Sequence, residues 1–276
     1  MSKTIKRGIA LAGGGARGAY QIGALEVLQE HGYLEDMHAI SGVSVGSLNA
    51  CALAMDALDM GKQMWLDLKK DDLFHHDLNW FEIIVKRNFK LAHEGIFDTK
   101  NLEKIIDAIM DYEKIRQKNI YVTTSFVTDE EMHFMDAVTL GIRNFLEKNN
   151  RIHYNKLSDM SDENIKATLL ASCAVPIMFK PVKVEGKTYF DGGILDNASF
   201  KPLIDEGCNE VIFIDLWRFK LRHFPRKREV DGVKIHHIYP KKHLRGFMDF
   251  DEKQIRRRFE LGREDALEAI TAWQKD

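Results

Sequence analysis

The chain has 276 residues, of which 45% are hydrophobic and 30% charged, and its 40 Lys and Arg residues nearly balance 42 Asp and Glu residues. These values are typical of a soluble globular protein with a substantial core, and they exclude collagen-like and low-complexity chains. The formal net charge of −2 argues against bulk binding of nucleic acid, and no apolar stretch is long enough to predict a transmembrane helix or a signal peptide.

The first part of the chain alternates strands with helices. Residues 5–11 are predicted to form a buried strand that ends at glycines, and an amphipathic helix is predicted over residues 19–30. A second strand over residues 37–40 leads into a Ser/Gly turn, and a helix of small residues follows over 48–58. This order of strand, glycine turn, helix, strand, tight turn and helix is typical of a parallel α/β sheet.

The rest of the chain is predicted to add helices around the sheet and further strands to it. Residues 61–101 read as helices, and Asp98 or Thr99 is predicted to cap the next helix. The other predicted elements are a central strand over 121–127 with 131–135 pairing beside it, a helix over 161–174, a hairpin over 182–190 that turns at Glu185–Gly186, strands over 211–214 and 233–238, and a closing helix over 251–273.

The first glycine turn has the pattern G-x-G-x-x-G at Gly13, Gly15 and Gly18, directly after a strand and before a helix. Its N–H groups at a helix N-terminus can bind any anion, either a pyrophosphate or a transient oxyanion. A dinucleotide site needs an acidic residue at the end of the second strand, whereas Glu35 and Asp36 precede that strand. We therefore favour an oxyanion hole, with a dinucleotide site or a turn used only for packing as the alternatives.

The serine turn Gly42–Gly46 has the pattern G-x-S-x-G. A nucleophile at the apex of a sharp strand-to-helix turn lies in strained backbone, and side chains two residues away would collide, which explains glycine at 42 and 46. Ser44 would then project its hydroxyl above the sheet, at the positive N-terminus of the next helix. The alternative is a packing loop in which Ser44 or Ser47 caps that helix.

A serine nucleophile needs a base beside it. In α/β-hydrolases this base is a histidine later in the chain, and the histidines in that position are His223, His236, His237 and His243. None of them lies in a distinctive motif, and only one strand–helix unit precedes the serine turn. Asp191 is better placed, because it ends an apolar strand and is followed by Gly192 and Gly193. An aspartate that only starts a turn is the alternative.

Together the three motifs resemble the patatin-like phospholipase family. The resemblance rests on Gly13-Gly-Gly-Ala-Arg-Gly18, Gly42-Val-Ser-Val-Gly46 and Asp191-Gly-Gly193, in that order. The segment 171–181 and the pair Asp196-Asn197 are also similar to the family. The resemblance covers about residues 5–216, and no motif extends it into residues 217–276.

The resemblance implies a three-layer α/β/α sandwich with a mainly parallel central sheet, in a single domain over residues 1–276. It implies a Ser–Asp dyad, in which Ser44 forms an acyl-enzyme while Asp191 accepts its proton and later activates water. The implied oxyanion hole is the glycine turn, with the N–H groups of Gly14 and Gly15 as donors. The residues of that turn are Gly13, Gly14, Gly15, Ala16, Arg17 and Gly18, with Arg17 at the family's basic position. The implied reaction hydrolyses a carboxylic ester of a phospholipid or other acyl lipid, and it needs no metal or organic cofactor.

Residues 217–247 are rich in basic and aromatic side chains. Between 217 and 246 there are ten Lys and Arg residues and two acidic residues, a net charge of +8. Such a segment fits peripheral contact with an anionic membrane, and a solvated basic loop is the alternative. We expect no nucleic-acid partner, because no recognition module accompanies the segment. The three cysteines, Cys51, Cys173 and Cys208, form no disulfide framework or metal-binding spacing, so we expect a cytoplasmic protein, either free or at the membrane periphery.

The sequence leaves two other functions open. One is a lipid-surface binding protein that keeps the fold without catalysis. The other, less favoured, is a dinucleotide-binding oxidoreductase that uses the first glycine turn.

Overall fold

The computed structural model describes residues 4–68, 99–127, 151–176, 178–217 and 229–275. Within these ranges the chain forms one mixed sheet with helices packed against it. The strands are β1 (Arg7–Leu11), β2 (Ala39–Val43), β3 (Ile120–Val127), β4 (Ile152–Lys156), β5 (Val182–Val184), β6 (Lys187–Asp191), β7 (Glu210–Ile214), β8 (Glu229–Val230) and β9 (Val233–Ile238). The α-helices are α1 (Gly18–Glu30), α2 (Val45–Ala54), α3 (Leu58–Asp67), α4 (Lys100–Ile109), α5 (Tyr112–Arg116), α6 (Asp162–Ser172), α7 (Lys201–Asp205) and α8 (Glu252–Trp273).

The centre of the sheet is parallel. Strand β1 pairs in parallel with β2 on one side and with β7 on the other, β2 pairs in parallel with β3, and β7 with β9. The apolar side chains of these strands are buried, including Ile9, Val122 and Ile212, and they join the helices in one large core. The predicted α/β fold with a mainly parallel sheet flanked by helices is therefore confirmed.

Strand β3 brings two chain segments to one point. Strand β4 pairs with one edge of β3. Strands β2 and β6 share the other edge, where β2 pairs with residues 120–123 and β6 with residues 124–127. Strand β2 runs parallel to β3 and ends with Val43 opposite Thr123, whereas β6 runs antiparallel and ends with Asp191 opposite Thr124. The carboxyl ends of β2 and β6 therefore meet head to head, because Thr123 and Thr124 are consecutive.

The serine turn is tighter than the sequence predicts. We expected β2 to end at Ile40 and the next helix to begin at Leu48, but β2 continues to Val43 and α2 begins at Val45. The small residues Ser41 and Gly42, which suggested a turn, instead pair with β1 and β3 at positions where the chain is fully buried. Only Ser44 separates strand from helix, so it occupies the apex alone.

The closing helix packs against the first helix through glycines. A Cβ atom at Gly23 of α1 would lie 2.2 Å from the carbonyl oxygen of Phe259, and one at Gly262 of α8 would lie 2.0 Å from that of Tyr20. The two backbones therefore touch, and the Tyr20 hydroxyl donates a 2.9 Å hydrogen bond to Asp265 of α8. No helix in the described ranges is both long enough and apolar enough to cross a membrane.

Most of the other predicted elements agree with the structure. The helix after Thr99, the strand at 121–127, the hairpin with its turn at Glu185–Gly186, the last two strands and the closing helix are confirmed. Strand β4 was not predicted. Asp98 and the predicted strand over 131–135 lie outside the described residues, as does most of the stretch from 61 to 101 that was predicted to be helical.

Candidate active site

Ser44 adopts a strained backbone conformation at the carboxyl end of β2. Its φ of 53° lies in the left-handed region, which non-glycine residues rarely occupy. The two flanking positions have no room for a side chain. A Cβ at Gly42 would lie 2.5 Å from the carbonyl oxygen of Gly46, and a Cβ at Gly46 would lie 2.3 Å from the carbonyl oxygen of Leu11. The residues 42–46 therefore form a sharp strand-to-helix turn, as the G-x-S-x-G pattern predicts.

Hydrogen bonds from neighbouring elements hold this turn. The N–H of Ser44 donates to the hydroxyl of Ser172 over 2.9 Å, and that hydroxyl donates to the carbonyl of Thr123 over 2.8 Å. The carbonyl of Ser44 accepts a 2.6 Å hydrogen bond from the hydroxyl of Ser47. Ser44 thus does not cap α2 with its side chain, which leaves its hydroxyl available for other contacts.

Asp191 lies next to Ser44 because β2 and β6 meet head to head. The Ser44 hydroxyl is within hydrogen-bonding reach of the Asp191 carboxylate, and the N–H of Gly193 donates a 2.7 Å hydrogen bond to Oδ1 of the same carboxylate. The two side chains are nearly inaccessible, with Ser44 8% and Asp191 4% exposed. Burial raises the pKa of Asp191 to about 6, although the hydrogen bonds from Ser44 and Gly193 oppose the shift.

Gly192 and Gly193 give Asp191 the space that it needs. A Cβ at Gly192 would lie 2.5 Å from the carbonyl oxygen of Thr123. One at Gly193 would lie 3.1 Å from Oδ1 of Asp191 and 3.0 Å from Oδ1 of Asn197. Glycine at both positions therefore lets the turn close around the carboxylate.

The first glycine turn lies beside the serine turn. A Cβ placed on Gly13 would be 3.0 Å from Cβ of Ser44, so the two turns are in van der Waals contact. The side chain of Asn197 joins the glycine turn to the aspartate turn, because it accepts a 2.7 Å hydrogen bond from the N–H of Gly13 and donates a 3.2 Å hydrogen bond to its carbonyl. All three sequence motifs thus converge at the carboxyl ends of β1, β2 and β6.

Two amides of the glycine turn have no acceptor among the described residues. These are the N–H groups of Gly14 and Gly15. The other four donate within the protein: Gly13 to Asn197, Ala16 to the carbonyl of Phe247, Arg17 to that of Gly14, and Gly18 to that of Gly15. Gly15 also needs its φ of +56°, which favours glycine. Within the part of the chain that the structure describes, Gly14 and Gly15 are therefore the two members of the turn whose N–H groups lack an acceptor.

Arg17 packs against the C-terminal part of the chain. Its guanidinium lies 4.4 Å from the ring centroid of Trp217, and its Nε donates a 3.0 Å hydrogen bond to the carbonyl of Arg245. Partial burial lowers the pKa of Arg17. These contacts tie the end of the glycine turn to residues that follow β7 and β9.

Three residues at the site were not assigned a role from the sequence. Ser172 supports the Ser44 amide, Asn197 bridges the glycine turn, and the Cys173 thiol lies within hydrogen-bonding reach of Ser44 and Ser47. Burial raises the pKa of Cys173, which keeps the thiol neutral. They fall within or next to segments that carried the family resemblance, and that position was the only signal for them.

The candidate histidines make other contacts. His236 lies 2.6 Å from a carboxylate oxygen of Glu210, His237 lies 3.5 Å from Asp215, and Nδ1 of His243 accepts a hydrogen bond from the N–H of Arg245. His223 lies outside the described residues. Asp191 is accordingly the candidate base that the described residues place against Ser44.

The described part of the basic segment is partly neutralised by α8. Lys241 pairs with Glu268, and Lys242 pairs with Glu264 at 3.0 Å. Phe247 is 40% exposed. Residues 218–228, which carry six of the segment's ten Lys and Arg residues, lie outside the described residues.

The family model for Patatin-like phospholipase matches residues 9–204, which include all three motifs. The chain belongs to the patatin-like phospholipase family. The match includes the first glycine turn, which the dinucleotide-binding alternative would assign to a different family.

Two relatives of this patatin-like chain are both distant from it in sequence. An uncharacterized NTE family protein of Mycobacterium tuberculosis is 24% identical over 220 residues, which are 75% of this chain and 48% of the relative. The probable lipid hydrolase 463L of Invertebrate iridescent virus 6 is 26% identical over 189 residues, 68% of this chain and 60% of the relative. The chain therefore spans about half of the length of these relatives.

A solved structure shares the fold. The crystal structure of VipD from Legionella pneumophila matches 97% of this chain and 67% of its own, with a TM-score of 0.50 and 15% sequence identity. At this identity the likeness concerns the fold alone.

Proposed function

We propose that this protein is a serine-dependent lipid acyl hydrolase, with Ser44 as nucleophile, Asp191 as base, and the amides of Gly14 and Gly15 as oxyanion hole. The observation that carries the proposal is the meeting of Ser44, in its strained turn, with a buried carboxylate and with two amides that lack an acceptor in the described residues. Family membership supports the same chemistry.

In the proposed reaction the Ser44 oxygen attacks the ester carbonyl while Asp191 takes its proton. The carbonyl oxygen becomes an anion that accepts hydrogen bonds from Gly14 and Gly15. The intermediate collapses, the alcohol leaves with the proton from Asp191, and the acyl group stays on Ser44. Water then attacks the acyl-enzyme, again giving its proton to Asp191, and the carboxylic acid is released as the Ser44 hydroxyl is restored.

The electrostatics of the site explain how an aspartate can serve as the base. A free aspartate has a pKa near ~3.9 and is a weak acceptor for a hydroxyl proton. Burial raises the pKa of Asp191 to about 6, which makes it a stronger base while it stays mostly ionised at neutral pH. The remaining stabilisation comes from the oxyanion hole, where one donor is typically worth roughly 10²–10³ in rate.

The proposed substrate is a phospholipid or another acyl-ester lipid. The family description and the naming of one relative as a probable lipid hydrolase favour lipids over small soluble esters. We further propose that the protein meets its substrate at an anionic membrane surface through the segment 217–247, where Phe247 is exposed and the exposed Arg245 lies two residues before it. A cytoplasmic protein with peripheral membrane contact fits this proposal.

Covalent labelling followed by product analysis tests the proposal. An alkyl fluorophosphonate should label Ser44, and mass spectrometry after incubation with a mixed lipid extract should detect released fatty acid. Ser44→Ala should lose both signals, whereas Ser158→Ala, which alters a half-buried serine whose hydroxyl donates a hydrogen bond to Asp159, should keep both. Lipid binding by a protein that is not labelled at Ser44 would instead establish a non-catalytic lipid-binding protein.

A further inference from the structure

Arg258 of α8 is the largest fully buried side chain in the described part of the chain, with an exposure of 0%. It lies outside residues 9–204, which the family model matches. Its guanidinium donates four hydrogen bonds, all to main-chain carbonyls. The acceptors are Leu244 at 2.9 Å, Ala16 at 3.1 Å, Asp249 at 2.6 Å and Gly246 at 3.0 Å.

Burying a charge without a close counter-ion costs folding free energy. A buried charged side chain can repay that cost by fixing a particular geometry in the fold. The Asp249 carboxylate is 3.9 Å from Arg258, and the other charged groups that act on it are the cations Arg17, Arg245 and Arg257. Burial lowers the pKa of Arg258 to about 10, which still leaves it charged at neutral pH. The planar guanidinium can hold several carbonyls in fixed directions at once.

Three of the four acceptors belong to residues 244–249, which we call the clamp. The clamp contacts the glycine turn directly. The carbonyl of Phe247 accepts a 2.7 Å hydrogen bond from the N–H of Ala16, and the carbonyl of Arg245 accepts one from the Arg17 side chain. A Cβ at Gly15 would lie 2.4 Å from that Phe247 oxygen, so the two loops are packed backbone against backbone.

The main chain of Ala16 is therefore held at both polar atoms. Its N–H is fixed by the clamp, and its carbonyl is fixed by Arg258, which also orders the clamp. Ala16 directly follows Gly14 and Gly15, whose amides have no acceptor among the described residues. The Gly15–Ala16 peptide shares the Cα atom of Gly15 with the Gly14–Gly15 peptide, so a displacement of Ala16 would also move the neighbouring Gly15 amide.

We propose that Arg258 is a positioning residue, which fixes the clamp against Ala16 and thereby holds the Gly14 and Gly15 amides in the direction that an oxyanion requires. This inference rests on the proposed acyl hydrolase function. It assigns part of the oxyanion hole's rigidity to a C-terminal helix that carries no family motif.

The test compares Arg258→Met and Arg258→Lys with Arg263→Met. Arg263 lies on the same helix and pairs with Glu26 and Glu30 of α1, so it joins α8 to the fold without touching the glycine turn. The measurements are kcat and KM for p-nitrophenyl butyrate, affinity for an aryl trifluoromethyl ketone that forms a tetrahedral adduct with serine, and hydrogen exchange of the peptide covering residues 12–18.

For Arg258→Met we expect kcat to fall about ten- to a hundredfold with KM nearly unchanged, somewhat less than the roughly 10²–10³ of losing one donor. Affinity for the ketone should fall by a similar factor, and the 12–18 peptide should exchange faster. Arg258→Lys, which keeps the charge and some hydrogen bonds, should recover part of each property. Arg263→Met should change thermal stability while leaving kcat, ketone affinity and exchange at 12–18 at wild-type values.

Unchanged kcat and unchanged exchange in a folded Arg258→Met protein would overturn the inference. If Arg258→Met does not fold, the same measurements on Arg258→Lys test the inference. If Arg258→Lys does not fold either, Arg258 is needed for the fold as a whole, and the inference that it positions the glycine turn is wrong. Absence of ester hydrolysis and of Ser44 labelling in the wild-type protein would reject the proposed function instead, and the exchange measurement would still report whether Arg258 orders the glycine turn.

Discussion

The side-chain amide of Asn197 pairs with the main chain of Gly13 through two hydrogen bonds, of 2.7 Å from the Gly13 N–H and 3.2 Å to its carbonyl. This pair joins the turn after β1 to the turn after β6, which are 184 residues apart in the chain. Because Oδ1 of Asn197 and Oδ1 of Asp191 both lie about 3 Å from the Cβ position of Gly193, they are no more than about 6 Å apart. Asn197 is therefore placed to influence both the glycine turn and the proposed base.

We expect Asn197→Asp to shift the pH dependence of hydrolysis upward. The new carboxylate would lie close to Asp191, and a second negative charge disfavours ionisation, so the pKa of Asp191 should rise further above 6. The measurement is the midpoint of the kcat/KM profile against pH. The plateau should also fall, because aspartate cannot donate to the Gly13 carbonyl and a buried acceptor left unpaired costs roughly 1–3 kcal/mol.

Asn209→Asp is the matched control for this change. The side-chain amide of Asn209 also forms two hydrogen bonds with the main chain. Its oxygen accepts from the N–H of Lys6, and its nitrogen donates to the carbonyl of Thr4. It lies just before β7, at the amino end of the sheet, so the same substitution there should leave the midpoint where it is. An unmoved midpoint in Asn197→Asp would contradict the placement of Asn197 beside the base.

Asp191→Asn should abolish hydrolysis and keep the fold. Asparagine can still accept the hydrogen bond from Gly193, but it cannot take the Ser44 proton, so we expect kcat/KM to fall by at least about 10³. Circular dichroism and thermal melting check the fold. Near wild-type turnover in a folded Asp191→Asn protein would contradict the proposed dyad.

The same substitution should stabilise the protein at alkaline pH. Asp191 has a folded-state pKa of about 6, above its ordinary value, so its contribution is full at acidic pH and is lost as the pH rises through about 6. Replacing the buried carboxylate by a neutral amide removes this loss. We expect the free energy of unfolding at pH 8 to increase by roughly 1–3 kcal/mol, and the gain to vanish near pH 4. Denaturant titration at the two pH values measures it.

The wild-type enzyme should lose activity in acid for the same reason. Only ionised Asp191 can accept the serine proton, so kcat/KM should rise with pH and level off above a midpoint of about 6. Initial rates with a soluble p-nitrophenyl ester between pH 4.5 and 8 measure this profile. A profile that keeps falling between pH 6 and 8 would contradict an aspartate base with a raised pKa.

Features with a local cause were predictable from the sequence. Glycine at 42 and 46 follows from the crowding around Ser44, and the hairpin turn follows from Glu185 and Gly186, whose φ values are 49° and 77°. The closing helix begins at an Asp251 cap, whose carboxylate accepts from the N–H of Gln254. In each case the residues that decide the conformation are neighbours in the chain.

Features that depend on distant partners were not predictable. Strand β4 has every residue only half-buried, so it lacks the alternation that marks a strand, and it forms because an edge of β3 is open to it. Arg258 is one of several arginines on an amphipathic helix, and only the clamp and Ala16 distinguish it. The strand β2 extends further than expected because β1 and β3 pair with its small residues.

Gly46→Ala should destabilise the protein severely, whereas Gly61→Ala should not. A Cβ at Gly46 would lie 2.3 Å and 2.7 Å from the carbonyl oxygens of Leu11 and Ala12, and these main-chain atoms at the end of β1 cannot move without breaking the sheet. We expect a loss of more than about 3 kcal/mol in the free energy of unfolding, or failure to fold.

Gly61 makes the comparison informative because it lies within α3, and a Cβ there would meet only Ala52 and Ile22 at ordinary contact distances of 3.4 Å and 3.5 Å. Alanine in a helix is favoured over glycine by about 0.5–1 kcal/mol, so Gly61→Ala should match or exceed the wild-type melting temperature. Equal melting temperatures for the two variants would mean that the serine turn has room for a side chain. The steric basis of the strained Ser44 conformation would then be wrong.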